Sequence, residues 1–205
     1  MNVSLFHATL IFGGGDLVRE VRVDSLIGVS EDPSQEIHWG QDLAGSGAQY
    51  GLEQVERVVT RKPLVAMTDY WKSIRKDRWA PEREDFDPLD IGPILQHVFL
   101  VDVLAEGGFY YRVVGTAIVG HVGFDACRKM LSDLSDKVDV GRIAGDFTDF
   151  VEAGVPRYDY AQGPWHGLPW RVYHRLLLPL GPSEGDVRQI LGCIDLETGT
   201  KERLQ

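Results

Sequence analysis

Apolar positions from Tyr50 onward fall into a helical period first. In "YGLEQVERVVTRK", Leu52, Val55 and Val59 share one helical face, with acids early and bases late, as the helix dipole favours. Pro63 interrupts the run. A second helix is predicted over "LVAMTDYWKSIRKDR", where Leu64, Met67, Trp71 and Ile74 recur at a spacing of three or four. A narrow aromatic stripe of that kind packs on the helix's own domain, or also contributes to a dimer seam. These four residues are therefore the candidate flanking-helix or dimer face.

The period then changes. Asp87 followed by Pro88 has the chemistry of a helix cap and first position, so "PLDIGPILQ" reads as a short helix weakened by Gly92 and Pro93. "HVFLVDV" has the β-branched and aromatic content of a strand buried on both faces. "LAEGGF" is a tight hairpin connection, and "FYYRVV" is the return strand. A short helix starts at Thr116 and stops at Gly123, a second runs through Cys127 to Leu134, and "DVGRIAGDFTDFVEAG" is a longer amphipathic helix with Gly154 as its C-cap. "VPRYDYAQG", "LPWRVYHRLLLPL" and "VRQILGCIDLE" close the chain as strands. The order predicts an α+β fold: a five-stranded antiparallel sheet with helices on one face, preceded by N-terminal flanking helices. A hollow between sheet and helices is either filled by side chains or holds a small ligand.

Residues 1–62 differ. Short apolar pieces separated by "GGGD", "SEDPSQE" and "GQDLAGSGAQYG" predict a loosely ordered extension, with one hairpin from "VREVRVDSLIGV", ending in the first helix. The glycines Gly13 to Gly15 lack the Gly-Lys-Ser/Thr ending of a phosphate loop. The domain organisation is thus an extension over 1–62, a domain over 63–198 and a short tail over 199–205.

Composition narrows the function. The 205 residues carry a formal net charge of −10, which argues against a nucleic-acid partner held by phosphate neutralisation. Cys127 and Cys193 are the two cysteines, no disulfide framework, and no basic leader or long apolar run marks a signal peptide or span. The expectation is a cytoplasmic protein without membrane contact.

Three blocks, "DYWKSIRKDRWAPEREDFDPLDIGPILQHVFLVDV", "FYYRVVGTAIVGHVGFD" and "WRVYHRLLLPL", resemble PAS-type sensory domains. Specifically they are similar to the variant common in alphaproteobacteria, with a leading "YW…R" helix and a "DP…DI…LL" helix before its first strand. The resemblance covers about residues 64 to 196. It implies a five-stranded sheet, a role in sensing or signalling and frequent dimerisation through the flanking helix, with no established ligand and no catalysis.

Cys127 sits in "DACRKML", which keeps the Cys-Arg pair of flavin photosensors and lacks the flanking Asn, Phe and Gln. His121 has glycine and valine neighbours, and a core or surface histidine is the simpler reading than a haem ligand. No flavin, haem or metal is expected. Arg112 and Arg175 interrupt apolar strands, and each must find an acid or water. Alternation places Tyr173, Arg175 and Leu177 on one face, and Tyr110, Arg112 and Val114 opposite Phe109, Tyr111 and Val113. One reading is ion pairing, with Asp102, Asp195 or Glu197 as partners; the other is that Arg175 with Tyr173 recognises an anionic molecule in the hollow. Trp165 lies in a loop that either lids the hollow or anchors the hairpin. The candidate ligand pocket is Tyr111, Arg112, His121, Trp165, Tyr173 and Arg175.

No GxSxG, HExxH, CxxC or Walker motif is present, so catalysis is not expected. The expected function is a regulatory module that binds a small molecule, a signalling partner protein or both, possessing no output domain of its own. The rival readings are a small ligand-converting enzyme and a structural adaptor with a filled core.

Overall fold

A computed structural model describes residues 51–168 and 171–197. The expected hairpin and glycine run before residue 51, and the 199–205 tail, lie outside the described residues.

The leading segment forms helices α1 (Leu52–Val58) and α2 (Lys62–Arg75). Pro63 occupies the first turn of α2, where its missing N–H costs no hydrogen bond. Leu64, Met67 and Trp71 are buried and Ile74 is half-buried. They pack with Leu176, Leu178, Leu180, Leu191 and Cys193 of the chain's own sheet. Trp71 Nε1 donates to the Pro179 carbonyl at 2.9 Å. Burial of each such side chain contributes roughly 1.5–3 kcal/mol. A seam between two copies built on Leu64, Met67 and Trp71 would have to strip α2 from that sheet.

The Tyr-Trp pair of α2 also fixes the turn ahead of the sheet. The Tyr70 hydroxyl accepts from the Asp87 N–H at 2.9 Å and donates to the Asp87 carbonyl at 3.2 Å. Asp87 Oδ1 accepts from Leu89 N–H at 2.9 Å, and Arg78 Nη2 donates to Asp85 Oδ2 at 2.6 Å. Residues 88–91 form turns, and a 3-10 helix over Gly92–His97 carries Pro93 in its first turn. The expected short helix is thus a 3-10 helix preceded by turns. Gly92 and Pro93 interrupt it.

Six antiparallel strands follow, with α3 (Thr116–Val122) and α4 (Val140–Ala153) between them. They are β1 (Val98–Val103), β2 (Phe109–Val114), β3 (Lys129–Met130), β4 (Arg157–Gln162), β5 (Val172–Leu180) and β6 (Gln189–Leu196). Their order across the sheet is β3-β2-β1-β6-β5-β4. Two expectations are corrected here. The sheet has six strands, because residues 129–130 pair with Tyr110 and Tyr111. The expected second helix is only a 3-10 turn over Leu131–Leu134; around Cys127, Asp125 Oδ1 takes the Cys127 N–H at 2.8 Å and Arg128 adopts φ 61°, which turns the chain into β3.

A third correction concerns the layers. Helices α3 and α4 cover the sheet face that carries Phe99, Val101, Tyr173, Leu177, Ile190 and Ile194. Helices α1 and α2 cover the other face, which carries Val98, Leu100, Leu176, Leu178 and Leu191. The central strands are apolar on both sides, so one layer of helices cannot keep them from water. Val55 and Val59 belong to this second core, so the packed domain already includes α1, ahead of the expected boundary at residue 63.

Alternation in β2 also breaks. Leu100 pairs with Val113 but Val101 pairs with Tyr111, leaving Arg112 as the extra residue of a β-bulge. After it Val114, not Val113, joins Phe109 and Tyr111 on the α3–α4 face.

Candidate functional site

The space between the sheet and the α3–α4 layer holds a cavity of about 70 Å³. Its floor is Phe99, Tyr111, Tyr173, Arg175 and Ile194, and its walls are Ile118 and Val122 of α3 and Ile143 and Phe147 of α4. Val114, Phe124, Ala126, Leu134, Val138, Pro164 and Trp165 complete it. Helix α3 ends over the cavity because Gly123 takes the left-handed conformation at φ 82°. Helix α4 is capped by Asp139, whose Oδ1 accepts from Arg142 N–H at 3.0 Å.

Arg175 supplies the one charge of this lining, and it is engaged. Asp159, directly opposite on β4, accepts at Oδ2 from Arg175 Nε at 2.9 Å and Nη2 at 2.7 Å. Asp146 on α4 accepts from Arg175 Nη2 at 2.9 Å. Arg157 joins through Nε to Asp159 Oδ1 at 2.8 Å. The result is a buried cluster of two guanidiniums and two carboxylates that ties α4 to β4 and β5. Burial opposes the charge on Arg175, but Tyr173, Asp159 and Asp146 outweigh it and hold the group firmly protonated. The ion-pair reading therefore holds for both arginines: Arg112 takes Asp102, one of the expected partners, whereas Arg175 takes Asp159 and Asp146, which were not among them.

The tyrosines differ. Neither the Tyr111 nor the Tyr173 hydroxyl has a hydrogen-bond partner among the described residues. Burial pushes both phenols above their usual pKa, against an opposing pull from Arg175. Both remain O–H donors at neutral pH.

Trp165 lines the cavity and stands edge-on to Tyr173, with ring centroids 5.7 Å apart. Its loop is stapled to the segment before α4: Asp139 N–H donates to Pro164 O at 2.9 Å and His166 N–H to Lys137 O at 2.7 Å. Gly163 lets the indole close down, since a Cβ there would lie 1.9 Å from the ring. Trp165 is both lid and hairpin anchor.

Two expected pocket residues lie elsewhere. Arg112 is exposed on the bulge and pairs with Asp102, on the side of β2 away from Tyr111, as alternation already requires. His121 does not line the cavity; its ring packs 6.5 Å from Trp165, and its buried Nε2 has no partner among the described residues. Burial, then the charge of Arg171, lowers its pKa. Sequence reasoning missed Asp146, Asp159 and Arg157, and the aromatic wall of Phe99 and Phe147.

A second polar cluster occupies the opposite sheet face. Tyr158 Oη lies 2.7 Å from His174 Nδ1, and His174 Nε2 lies 3.1 Å from Glu197 Oε1. Arg61, ahead of α2, pairs with Asp195 at 2.8 Å and Glu197 at 3.5 Å. Among the described residues, no group of three or more His, Cys, Asp or Glu could hold a metal ion, and no helix is long and apolar enough to cross a membrane.

Residues 59–195 match the PAS domain family, and the chain belongs to it. It is a PAS-type module. Solved structures to which it is similar include the PAS domain of BvgS from Bordetella pertussis, at 20% identity over 58% of this chain and 93% of that one, with TM-score 0.39. The Rhodobacter sphaeroides LOV protein matches at 13% identity over 57% and 72%, with TM-score 0.40. The N-terminal domain of a diguanylate cyclase with PAS/PAC sensor from Marinobacter aquaeolei matches at 12% over 48% and 93%, with TM-score 0.35. No curated protein matches.

Proposed function

We propose that this PAS module senses a small molecule held between the sheet and the α3–α4 layer, and acts by binding without catalysis. The carrying observation is a cavity lined mainly by apolar side chains together with Tyr111 and Tyr173, whose hydroxyls no described residue engages. A guest that binds one arrangement of α4 and the sheet better than another shifts their populations by its differential affinity. Output passes by contact to a partner protein or a second copy of the chain. The leading helix with Tyr70 and Trp71 fits the variant common in alphaproteobacteria, and the free thiols Cys127 and Cys193 fit a reducing cytoplasm.

The small volume supports a second reading, an adaptor whose core is simply filled, since pockets for drug-sized ligands run to roughly 300–1,000 Å³. A thermal-stability screen against metabolites, followed for each hit by product analysis, separates the readings. Sensing predicts stabilisation with the metabolite unchanged. Consumption of the metabolite would assign an enzyme, and a flat screen would assign the adaptor.

A further inference from the structure

We propose that the cavity selects an uncharged guest with a hydrogen-bond acceptor at one end and a compact apolar body, such as a small ketone, ester or ether, and excludes anions. This rests on the sensory reading above and names the chemistry of its ligand.

Charge balance decides against an anion. Arg175 already faces Asp159 and Asp146, and Arg157 shares both carboxylates, so the cluster beside the cavity is two positive groups against two negative ones. A carboxylate guest would have to draw Arg175 away from acids that are themselves buried or half-buried, or remain unpaired in an apolar enclosure. Either course is costly. A neutral acceptor needs no countercharge. It needs an O–H, and Tyr111 and Tyr173, whose hydroxyls no described residue engages, both line the cavity. The rest of the guest meets Phe99, Ile118, Phe147 and Trp165, which offer no polar atom to a second functional group except the indole N–H.

Size sets the scale. A cavity of about 70 Å³ is under half of the roughly 150 Å³ that accommodates benzene in an engineered core. The closed form therefore suits about four heavy atoms, and larger members of the class require the Trp165 loop to lift. Four atoms bind with a Kd no tighter than some tens of micromolar, on the order of the best efficiency per atom.

The test uses three isosteres of four heavy atoms on the full chain: acetone, acetate and isobutene, titrated while the methyl signals of Ile118, Ile143 and Ile194 are followed by NMR. Saturable shifts are expected with acetone, weaker ones with isobutene and none with acetate. Tyr111→Phe and Tyr173→Phe each remove one hydroxyl oxygen that has no partner among the described residues, so folding is preserved. Each should weaken acetone by roughly three- to tenfold and leave isobutene unchanged. Acetate shifting these methyls at concentrations equal to or below acetone overturns the exclusion of anions. Isobutene matching acetone, or acetone binding that both Phe variants retain in full, overturns the acceptor assignment while sensing by the cavity stands. If all three probes leave the methyls unmoved, the sensory reading falls with it.

Discussion

Asp159 and Arg175 face each other across the β4–β5 ladder, and one carboxylate oxygen of Asp159 receives both Nε and Nη2 of Arg175. The other oxygen receives Nε of Arg157. Asp159 thus bridges two buried guanidiniums, and Asp146 supplies the second negative charge. Asp159→Ala should destabilise the domain by about 3–5 kcal/mol in urea unfolding, because both cations lose their shared partner. Asp146→Ala should cost less, since Asp146 is 22% exposed against 4% for Asp159 and water reaches its place. Equal losses would show that the two acids carry the cluster alike.

Helix α2 is a structural cover for the second sheet face. Trp71→Ala should cost about 3–5 kcal/mol. Trp71→Phe keeps most of the packing but leaves the buried Pro179 carbonyl without its donor, at about 1–3 kcal/mol. Both are read by chemical unfolding. Near-wild-type stability for Trp71→Ala would place the helix off the sheet.

Gly192 lies beneath the Phe99 ring, where an added Cβ would sit 1.9 Å from Phe99 Cζ. Since Phe99 lines the cavity, Gly192→Ala should drive that ring into it. We expect a loss of about 1–3 kcal/mol from overpacking, with acetone binding abolished in the same methyl titration. Retained binding would mean the ring yields in another direction.

Cys193 is fully buried between β6 and the start of α2, and burial, then the charge of Asp195, pushes its thiol up to about 12. The folded state therefore keeps a proton that the unfolded thiol releases from about pH 9. Its contribution to stability is full below pH 9 and is lost as pH rises through 12. Thermal unfolding from pH 8 to 11 should show a decline that is shallower in Cys193→Ala. Iodoacetamide should label half-buried Cys127 in the native protein and Cys193 only on unfolding.

Much of this fold is legible in the apolar pattern. The stripe of α2, the hairpin glycines, α4 with Asp139 and Gly154 at its ends, and the three closing strands all follow from local periodicity and turn chemistry. The layer arrangement was also written there. "HVFLVDV" reads as a strand apolar on both sides, and such a strand demands cover on both sides, which puts the flanking helices opposite α3 and α4. The bulge at Arg112 leaves no local signature, because it is set by the register of β2 against β1. Asp125 capturing the Cys127 backbone likewise competes with a helix that composition alone permits. For the site, Tyr111, Tyr173, Arg175 and Trp165 were found because polar or bulky residues stand out on inward positions. Their partners were within reach of the same reasoning. Asp146 sits in the stripe of Ile143, Phe147 and Phe150, and Asp159 alternates with Arg157 in β4, so each is an inward acid awaiting an inward base. The aromatic wall was not legible, since Phe99 and Phe147 look like any other core residue until the space between them is seen.

The most direct measurement is the structure of crystals pressurised with xenon, which enters apolar cavities and finds nothing in filled cores. The account predicts one xenon site bounded by Tyr111, Phe147 and Tyr173, with the Arg175–Asp159 pair undisturbed. Side chains closed over that space with no xenon in it would contradict a sensory cavity.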